Sequence, residues 1–226
     1  MPEPLLVIEH ASFEPMGLLA SWLSKAGVAV LRCMPYVGDR IPESLDGFSG
    51  LVVMGGPQSA HEPEVKPWVG ERALITSAVE ESVPFLGICL GAQLLAVACG
   101  GEVAPMAKGN ERGVLSIDIR DEAEGDLWLG GLHRPQRVVQ WHGDEVTVLP
   151  PNSTWLASSA ACQHQAFRVG ERAWGLQFHP EATPEILAGW AEADGVRADR
   201  ECRQVAALDI EGTWRGPAER FARLVI

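Results

Sequence analysis

Apolar residues in the first half of the chain form short continuous runs that alternate with longer stretches of helical periodicity. Strand patterns lie at 5–10, 28–34, 48–56 and 83–89, and helical patterns lie at 15–27, 68–82 and 90–100. Buried strands separated by helices of about ten to fifteen residues are typical of a parallel sheet that is covered on both faces. The pattern therefore predicts an α/β fold with a doubly wound, mostly parallel central sheet and flanking helices.

The second half of the chain has shorter strand patterns that are separated by turn signals. These patterns cover 113–119, 137–146, 154–160, 164–170 and 173–180. We expect them to form antiparallel additions to the central sheet. From Thr183 to the end of the chain the pattern is helical again, and glycines interrupt it at Gly195, Gly212 and Gly216.

The length and hydrophobicity of the chain limit the number of domains. With 226 residues, of which 46% are hydrophobic, the chain can bury one large core. No linker or internal repeat divides it. We predict one domain over 1–190 and a helical carboxyl-terminal extension over 191–226 that packs on the same domain.

The charge balance restricts the partners that the protein can bind. Asp and Glu number 30 against 18 Lys and Arg, which gives a net charge of −12 that repels phosphate backbones and anionic lipid. Neither nucleic acid nor a membrane is expected as a partner. The first residues lack the basic segment and long apolar core of a secretory signal. The protein is therefore predicted to be cytoplasmic, and we expect a monomer or homodimer. The five cysteines form no CxxC pair, so reduced thiols are predicted.

One cysteine stands where a nucleophile is expected. In VPFLGICLGAQLLAVACG (83–100), Cys89 lies between Gly87 and Gly91, directly after a strand and before a helix. This spacing fits the G-x-nucleophile-x-G elbow, in which glycines allow a sharp turn and the helix amino terminus favours a thiolate. A buried structural cysteine is the alternative. A dinucleotide-binding fingerprint does not fit, because Cys89 occupies a position that needs glycine.

A cysteine nucleophile needs a base, and His179 in AWGLQFHPEAT is the best candidate. Glu181 follows two positions later, so in an extended chain its carboxylate lies on the same face and can hold the imidazole. A hydrogen-bonded histidine at a strand end is the alternative. The H-x-E pattern also occurs in zinc deaminases, but their P-C-x-x-C motif is absent here. Neither a metal nor a cofactor is expected.

The two motifs together resemble the class I glutamine amidotransferases, whose hallmark is a G-x-C-x-G elbow followed far downstream by H-P-E. The matching segments are GICLGAQ (87–93) and FHPE (178–181), supported by VVMGGPQSAHE (52–62), QWHGDEV (140–146) and residues 161–183. The similarity is closest to the glutaminase domain of GMP synthase and its free-standing relatives. It implies hydrolysis of the glutamine side-chain amide to glutamate and ammonia by a triad of Cys89, His179 and Glu181.

The same resemblance implies roles for further residues. The backbone N–H groups of Gly56 and Leu90 would form the oxyanion hole. Four side chains or backbone segments would bind or shape the pocket for substrate glutamine: Gln93, Trp141, His142 and Gly143. Asn110 or Glu111 would face the substrate amino group, although charged residues in such a loop are often only solvated.

Three functions remain open at the level of sequence. The chain contains no G-x-x-x-x-G-K-[ST] loop for ATP, so ammonia from glutamine would pass to a separate synthase protein. A γ-glutamyl peptidase acting on glutathione-like compounds would use the same thioester chemistry. A noncatalytic regulatory or binding module is the alternative from another class of protein.

Overall fold

The computed structural model describes residues 3–61 and 68–226, so Glu62, the last residue of the VVMGGPQSAHE motif, lies outside the described part. The strands are β1 Leu5–Ile8, β2 Val30–Cys33, β3 Gly50–Val53, β4 Phe85–Ile88, β5 Glu102–Pro105, β6 Glu111–Ile119, β7 Gln136–His142, β8 Asp144–Val148, β9 Ser153–Ser158, β10 Ala166–Val169 and β11 Ala173–Leu176. The α-helices are α1 Gly17–Lys25, α2 Trp68–Glu80, α3 Leu90–Ala98, α4 Pro184–Ala193, α5 Asp199–Ala206 and α6 Ile210–Ala222.

A nine-stranded sheet forms the centre of the molecule, in the order β2-β1-β3-β4-β11-β10-β9-β6-β7. The strands from β2 to β11 in this order pair in parallel, and the others pair antiparallel. Alternate residues of β1 enter cores on opposite faces, with Leu5 and Val7 in one cluster and Leu6 in the other. The predicted doubly wound α/β fold with antiparallel additions is confirmed.

Two of the strand predictions for the second half are wrong in detail. The pattern at 173–180 predicts an antiparallel addition; β11 does pair antiparallel with β10, but it pairs in parallel with the central strand β4. Hydrophobic periodicity gives no information on strand direction, since both faces of either kind of strand can be buried. The pattern at 137–146 was expected to be one strand, but it divides at Gly143 into β7 and β8, and β8 pairs with β5 in a separate two-stranded sheet.

The carboxyl-terminal helices begin and end partly where the sequence predicts. Thr183 caps α4 by accepting a hydrogen bond from the Ile186 N–H, and the break at Gly195 is confirmed. The breaks predicted at Gly212 and Gly216 are wrong, because both residues lie inside α6. The Asp209 side chain accepts the Gly212 N–H at 2.9 Å, so this glycine belongs to a capped first turn.

Helix α6 packs against the segment between β11 and the HPE motif. The Trp214 ring lies 5.1 Å from the Phe178 ring between centroids, and both side chains are buried in one core cluster. Phe178 precedes His179 directly, so α6 supports the backbone at that position. The boundary predicted at residue 190 falls inside α4, and the division into a domain and an extension stays a prediction. None of the helices in the described part of the chain is long and apolar enough to span a membrane.

Candidate active site

Cys89 lies at the turn between β4 and α3 with a backbone conformation that is unusual for a side-chain-bearing residue. Its φ is +52° and its ψ is −106°, and it precedes the first residue of α3. Such a positive φ strains an L-residue and persists only where the surroundings impose it. Cys89 is 7% exposed and borders a cleft. The predicted elbow at Cys89 is therefore present as a backbone feature.

The two glycines around Cys89 are needed because neighbouring backbone comes too close for a side chain. A Cβ on Gly87 would collide with the Gly91 carbonyl oxygen. A Cβ on Gly91 would collide with the carbonyl oxygen of Val53 in the adjacent strand β3. The elbow thus depends on close backbone approach, for which glycine is the suitable residue.

His179 and Glu181 form a buried pair behind the cleft, each with 1% exposure. The His179 Nδ1–H donates to Glu181 Oε1 at 2.8 Å, which leaves Nε2 directed away from the carboxylate. The imidazole also packs against the Trp190 ring at 4.3 Å between centroids. The predicted contact between His179 and Glu181 is present, and it fixes both the tautomer and the orientation of the ring.

The protonation state of His179 is set by its burial and by its neighbours Glu181 and Cys89. Burial lowers the pKa of His179, but the Glu181 carboxylate and the Cys89 thiol raise it more, so the pKa lies well above its usual value. His179 Nε2 is buried without a hydrogen-bond partner among the described residues. A protonated His179 can therefore hold a proton on Nε2 and transfer it on the side facing Cys89.

A cleft of about 670 Å³ opens at Cys89. The residues predicted for the site that border it are Gly56, Cys89, Gln93, Trp141, His142 and Gly143. His179 and Glu181 lie behind its wall, and Leu90 is buried at 1% exposure as the first residue of α3. The first N–H groups of a helix have no intrahelical acceptor, so the Leu90 N–H is available to a ligand.

The Gly56 loop approaches the elbow closely. A Cβ on Gly56 would lie 2.8 Å from Leu90 Cδ2 and 2.8 Å from His10 Cβ. Only a residue without a side chain fits between these two neighbours. The two residues predicted to supply the oxyanion hole, Gly56 and Leu90, are therefore neighbours in the structure.

Gln93 is linked to the nucleophile through the side-chain amide of Gln177, a residue for which the sequence predicts no role. Its Nε2 donates to Gln177 Oε1 at 3.2 Å and to the Asp144 backbone carbonyl at 3.2 Å. Gln177 Nε2 in turn lies 3.7 Å from Cys89 Sγ and donates to it. Gln177 sits two residues before His179, a position that the alternation of an extended chain places on the same face.

The WHGD segment forms one wall of the cleft and is fixed from behind by a buried hydrogen-bond network. His142 Nε2 lies 3.0 Å from Glu111 Oε2 and Nδ1 lies 2.9 Å from the Asp144 carbonyl. Glu111 also accepts hydrogen bonds from Ser159 and Gln165, and these donors together with His142 lower its pKa against the effect of burial. Glu111 therefore supports His142 from behind, whereas Asn110 borders the cleft.

Cys162 lies beside this network, and its Sγ is within 4.8 Å of ligand atoms of Glu111 and His142. Burial raises the pKa of the Cys162 thiol far above its usual range, and the Glu111 and Glu145 carboxylates add to the rise. Glu111 and His142 contact each other in this structure, and Glu111 also accepts hydrogen bonds from Ser159 and Gln165.

Several residues at the cleft were not found from the sequence. Glu14 is 8% exposed and borders the cleft, and the space it occupies exists because Gly55 has no side chain. Burial raises the pKa of Glu14 to about 7, and cationic His179 lowers it less than burial raises it. A lone glutamate in an irregular segment gives no periodic or motif signal. Other such residues are Phe13, Ser59, Arg112, Asp144, Trp190 and Asp194.

Comparison with known proteins identifies the family of the chain. Residues 19–188 match the family model of glutamine amidotransferase class-I. The match covers most of the chain, so the chain belongs to the class I glutamine amidotransferases, which are generally cysteine-dependent amidohydrolases. The resemblance noticed in the sequence is thereby confirmed.

The relatives differ in length and in named activity. The chain is 31% identical over 224 residues to the glutamine amidotransferase-like protein YfeJ of Salmonella typhimurium, with 92% of this chain and 93% of that protein covered. It is 34% identical over 227 residues to a GMP synthase (glutamine-hydrolyzing) of Porphyromonas gingivalis, which it matches over 98% of this chain but 42% of that protein. Gamma-glutamyl peptidase 3 of Arabidopsis thaliana is 31% identical over 147 residues, or 63% of this chain and 58% of that protein.

A solved structure also resembles the whole chain. The crystal structure of a glutamine amidotransferase from Thermotoga maritima superposes with a TM-score of 0.87 at 26% sequence identity. The match covers 98% of this chain and 99% of that chain. The likeness includes the carboxyl-terminal helices, because almost no part of the chain lies outside it.

Proposed function

We propose that the chain hydrolyses the side-chain amide of glutamine to glutamate and ammonia. The observation that carries this proposal is the strained turn at Cys89 beside the buried pair of His179 and Glu181, at the surface of one cleft. A thiol, an oriented imidazole and a carboxylate are the groups that nucleophilic amide hydrolysis requires.

In the proposed first step, the Cys89 thiolate attacks the amide carbon and the carbonyl π electrons move to oxygen. The backbone N–H groups of Gly56 and Leu90 would stabilise this oxyanion. When the intermediate collapses, the C–N bond breaks and protonated His179 gives its proton to the departing nitrogen. The products of this step are ammonia and a γ-glutamyl thioester on Cys89.

In the second step, His179 would take a proton from water as the water oxygen attacks the thioester carbon. The C–S bond then breaks, which releases glutamate and regenerates the thiolate beside protonated His179. Glu181 holds the ring and stabilises its positive charge throughout, in agreement with the direction of the His179 pKa. Gln177, which donates to the sulfur, would stabilise the thiolate.

The pocket would hold glutamine through the walls that lie beside Cys89. Gln93 and the Trp141–Gly143 segment border the same cleft. We propose that Gln93 helps to bind glutamine and that Trp141–Gly143 shape the end that receives the α-amino and α-carboxylate groups. Ammonia would pass to a separate synthase protein. This chain matches 42% of the Porphyromonas GMP synthase. The unmatched remainder of that protein supports the proposal that the step that uses ammonia belongs to a separate protein here.

Cleavage of γ-glutamyl peptides is the second candidate, and the similarity to gamma-glutamyl peptidase 3 favours it. Glutathione and glutamine present the same γ-carbonyl, so both would follow the same thioester route. The two functions are separated by incubating the purified protein with glutamine and with glutathione and measuring glutamate release. We expect a higher kcat/KM for glutamine; a higher value for glutathione would overturn the glutaminase proposal in favour of the peptidase.

A noncatalytic module is distinguished by the same assay with two cysteine variants. We expect Cys89→Ala to abolish glutamate release and Cys202→Ala, which lies outside the cleft, to retain it. Binding of glutamine without glutamate release in the parent protein and in both variants would instead support a binding module.

A further inference from the structure

A third buried histidine–glutamate pair, besides His179–Glu181 and His142–Glu111, lies beside the Gly55–Gly56 loop. His10 follows β1 and is 4% exposed, whereas Glu71 is in the first turn of α2 and is fully buried. His10 Nε2 lies 3.0 Å and 3.2 Å from the two oxygens of the Glu71 carboxylate. Burying two ionisable groups is costly, so this pair must be balanced by good geometry and further hydrogen bonds. The mechanism above leaves the pair without a role.

The other ring nitrogen of His10 fixes a backbone carbonyl. Nδ1 lies 3.1 Å from the Gly55 carbonyl oxygen, which can only accept a hydrogen bond, so Nδ1 carries the proton. This is true of an imidazolium beside a Glu71 carboxylate and of a neutral imidazole beside a protonated Glu71. Burial lowers the pKa of His10, but the Glu71 carboxylate raises it more, which favours the imidazolium.

The geometry of the peptide bond transmits this contact to the neighbouring residue. The Gly55 carbonyl and the Gly56 N–H belong to one trans peptide unit, since the cis bond found in the described residues is Arg134–Pro135. In a trans peptide the two groups point in opposite directions. A Gly55 carbonyl that is held toward His10 therefore directs the Gly56 N–H away from His10.

Gly56 lies close to the side chains of His10 and Leu90, and Leu90 directly follows the nucleophile. A Cβ added at Gly56 would lie 2.8 Å from both His10 Cβ and Leu90 Cδ2. Gly56 and Cys89 border the same cleft. A change at His10 is thus transmitted to the position of the Gly56 N–H relative to Cys89.

We propose that His10 is a positioning residue for the oxyanion hole: its Nδ1–H holds the Gly55 carbonyl so that the Gly56 N–H faces the developing oxyanion. Glu71 fixes the His10 tautomer that this contact needs. A cationic donor on the carbonyl also polarises the peptide and makes the Gly56 N–H a stronger donor. This inference rests on the proposed glutaminase function, because it assigns a role to a group in that reaction.

The test replaces His10 by Phe, which keeps a ring but removes the donor. A second variant combines His10→Phe with Glu71→Met, so that no unpaired carboxylate remains buried if the single variant does not fold. His164→Phe is the matched control, because His164 is also buried and its Nδ1 lies 2.7 Å from the Val146 carbonyl, away from the cleft. Circular dichroism establishes that each variant is folded.

The experiment measures kcat, KM and the inhibition constants of two compounds, of which only the first forms a covalent bond to the thiolate. Glutamate γ-semialdehyde forms a thiohemiacetal with a thiolate and so places an oxyanion in the hole, whereas glutamate binds without doing so. We expect kcat of a folded His10 variant to fall about 10- to 1,000-fold, where the upper limit is the effect of removing an oxyanion-hole donor. KM should change by less than about threefold. The aldehyde should bind more weakly by a factor similar to the fall in kcat, and glutamate should bind as before.

Two results would overturn the inference. One is a folded His10 variant, single or double, with a kcat within twofold of the His164→Phe control. The other is an equal weakening of the aldehyde and glutamate, which indicates a general distortion of the pocket. Failure of the proposed function is recognised separately, because the parent protein would then release no glutamate, or Cys89→Ala would release as much as the parent.

Discussion

At the scale of single residues, the cleft contains a carboxyl group that titrates near neutral pH. Glu14 lies in the segment between β1 and α1, and burial raises its pKa to about 7 from an ordinary value of 4.5. Between these two pH values the folded protein binds a proton that the unfolded chain releases. Burial of Glu14 therefore destabilises the folded protein least below about pH 4.5. The unfolding free energy then falls as the pH rises to about 7.

Glu14→Gln removes this titration. Because the folded-state pKa is raised, the parent should lose up to about 3 kcal/mol of unfolding free energy relative to the variant as the pH rises from 4.5 to beyond 7. Urea unfolding at several pH values measures the difference. Glu185→Gln is the control, because the pKa of this exposed glutamate is lowered and its difference curve has the opposite sign. Parallel curves for Glu14→Gln and the parent would contradict the assignment.

Gly91 is predicted to tolerate no side chain. An alanine Cβ at this position would collide with the Val53 carbonyl oxygen, so α3 or β3 must shift. Overpacking of this kind costs about 1–3 kcal/mol or more, and the displaced elbow should lose activity as well. Gly70→Ala in α2 is the matched control, since among the described residues no atom outside its chain neighbours and its own helix backbone lies within 4 Å of its added Cβ. Equal unfolding free energies for the two variants would disprove the collision.

Residues of the site differ in how well the sequence reveals them. Cys89 and His179 are predictable because each lies in a short contiguous motif. Gly87 and Gly91 allow the turn at Cys89, and Glu181 holds the His179 ring. Glu14 and the His10–Glu71 pair are not predictable, because their partners are brought together only by the fold, and the spacing of 61 positions between His10 and Glu71 has no local meaning.

At the scale of elements, α6 connects the carboxyl-terminal region to the site. Trp214 of α6 is buried against Phe178, the residue before His179. Loss of this contact would leave a cavity beneath the backbone that positions the imidazole. Helix α6 is thus expected to contribute to both stability and activity.

Trp214→Ala should lower the unfolding free energy by about 3–5 kcal/mol, because it removes a large buried side chain. Arg215→Ala, which changes an exposed neighbour in the same helix, should change it by less than about 0.5 kcal/mol. Thermal or urea unfolding of both variants measures these values. A small effect at Trp214 would mean that α6 does not support the core.

The existence of the elements was more predictable than their arrangement. The inner parallel strands β1, β3, β4 and β11 appear as apolar runs, because all of their residues are buried. The direction of β11 and the division at Gly143 depend on which strands become neighbours, and that is decided by tertiary packing. A glycine alone predicts a helix break at Gly212, but the Asp209 cap makes this glycine part of the first turn of α6.

At the scale of the whole molecule, the site is a consequence of strand order. Strands β1, β3, β4 and β11 are consecutive in the sheet and parallel. His10, Gly56, Cys89 and His179 each follow the carboxyl end of one of them, in the same order. Because parallel strands present these ends at one edge, residues that are far apart in sequence meet there. The fold therefore brings the motifs together without any local relation between them.

The central claim is that Cys89 is the nucleophile of a glutamine-hydrolysing enzyme. Its most direct test is to quench the parent protein during reaction with glutamine and to locate the γ-glutamyl adduct by mass spectrometry, with Cys89→Ala and Cys202→Ala in parallel. We predict an adduct on Cys89 in the parent and in Cys202→Ala, and neither adduct nor glutamate release in Cys89→Ala. An adduct on another residue, or undiminished hydrolysis by Cys89→Ala, would contradict the claim.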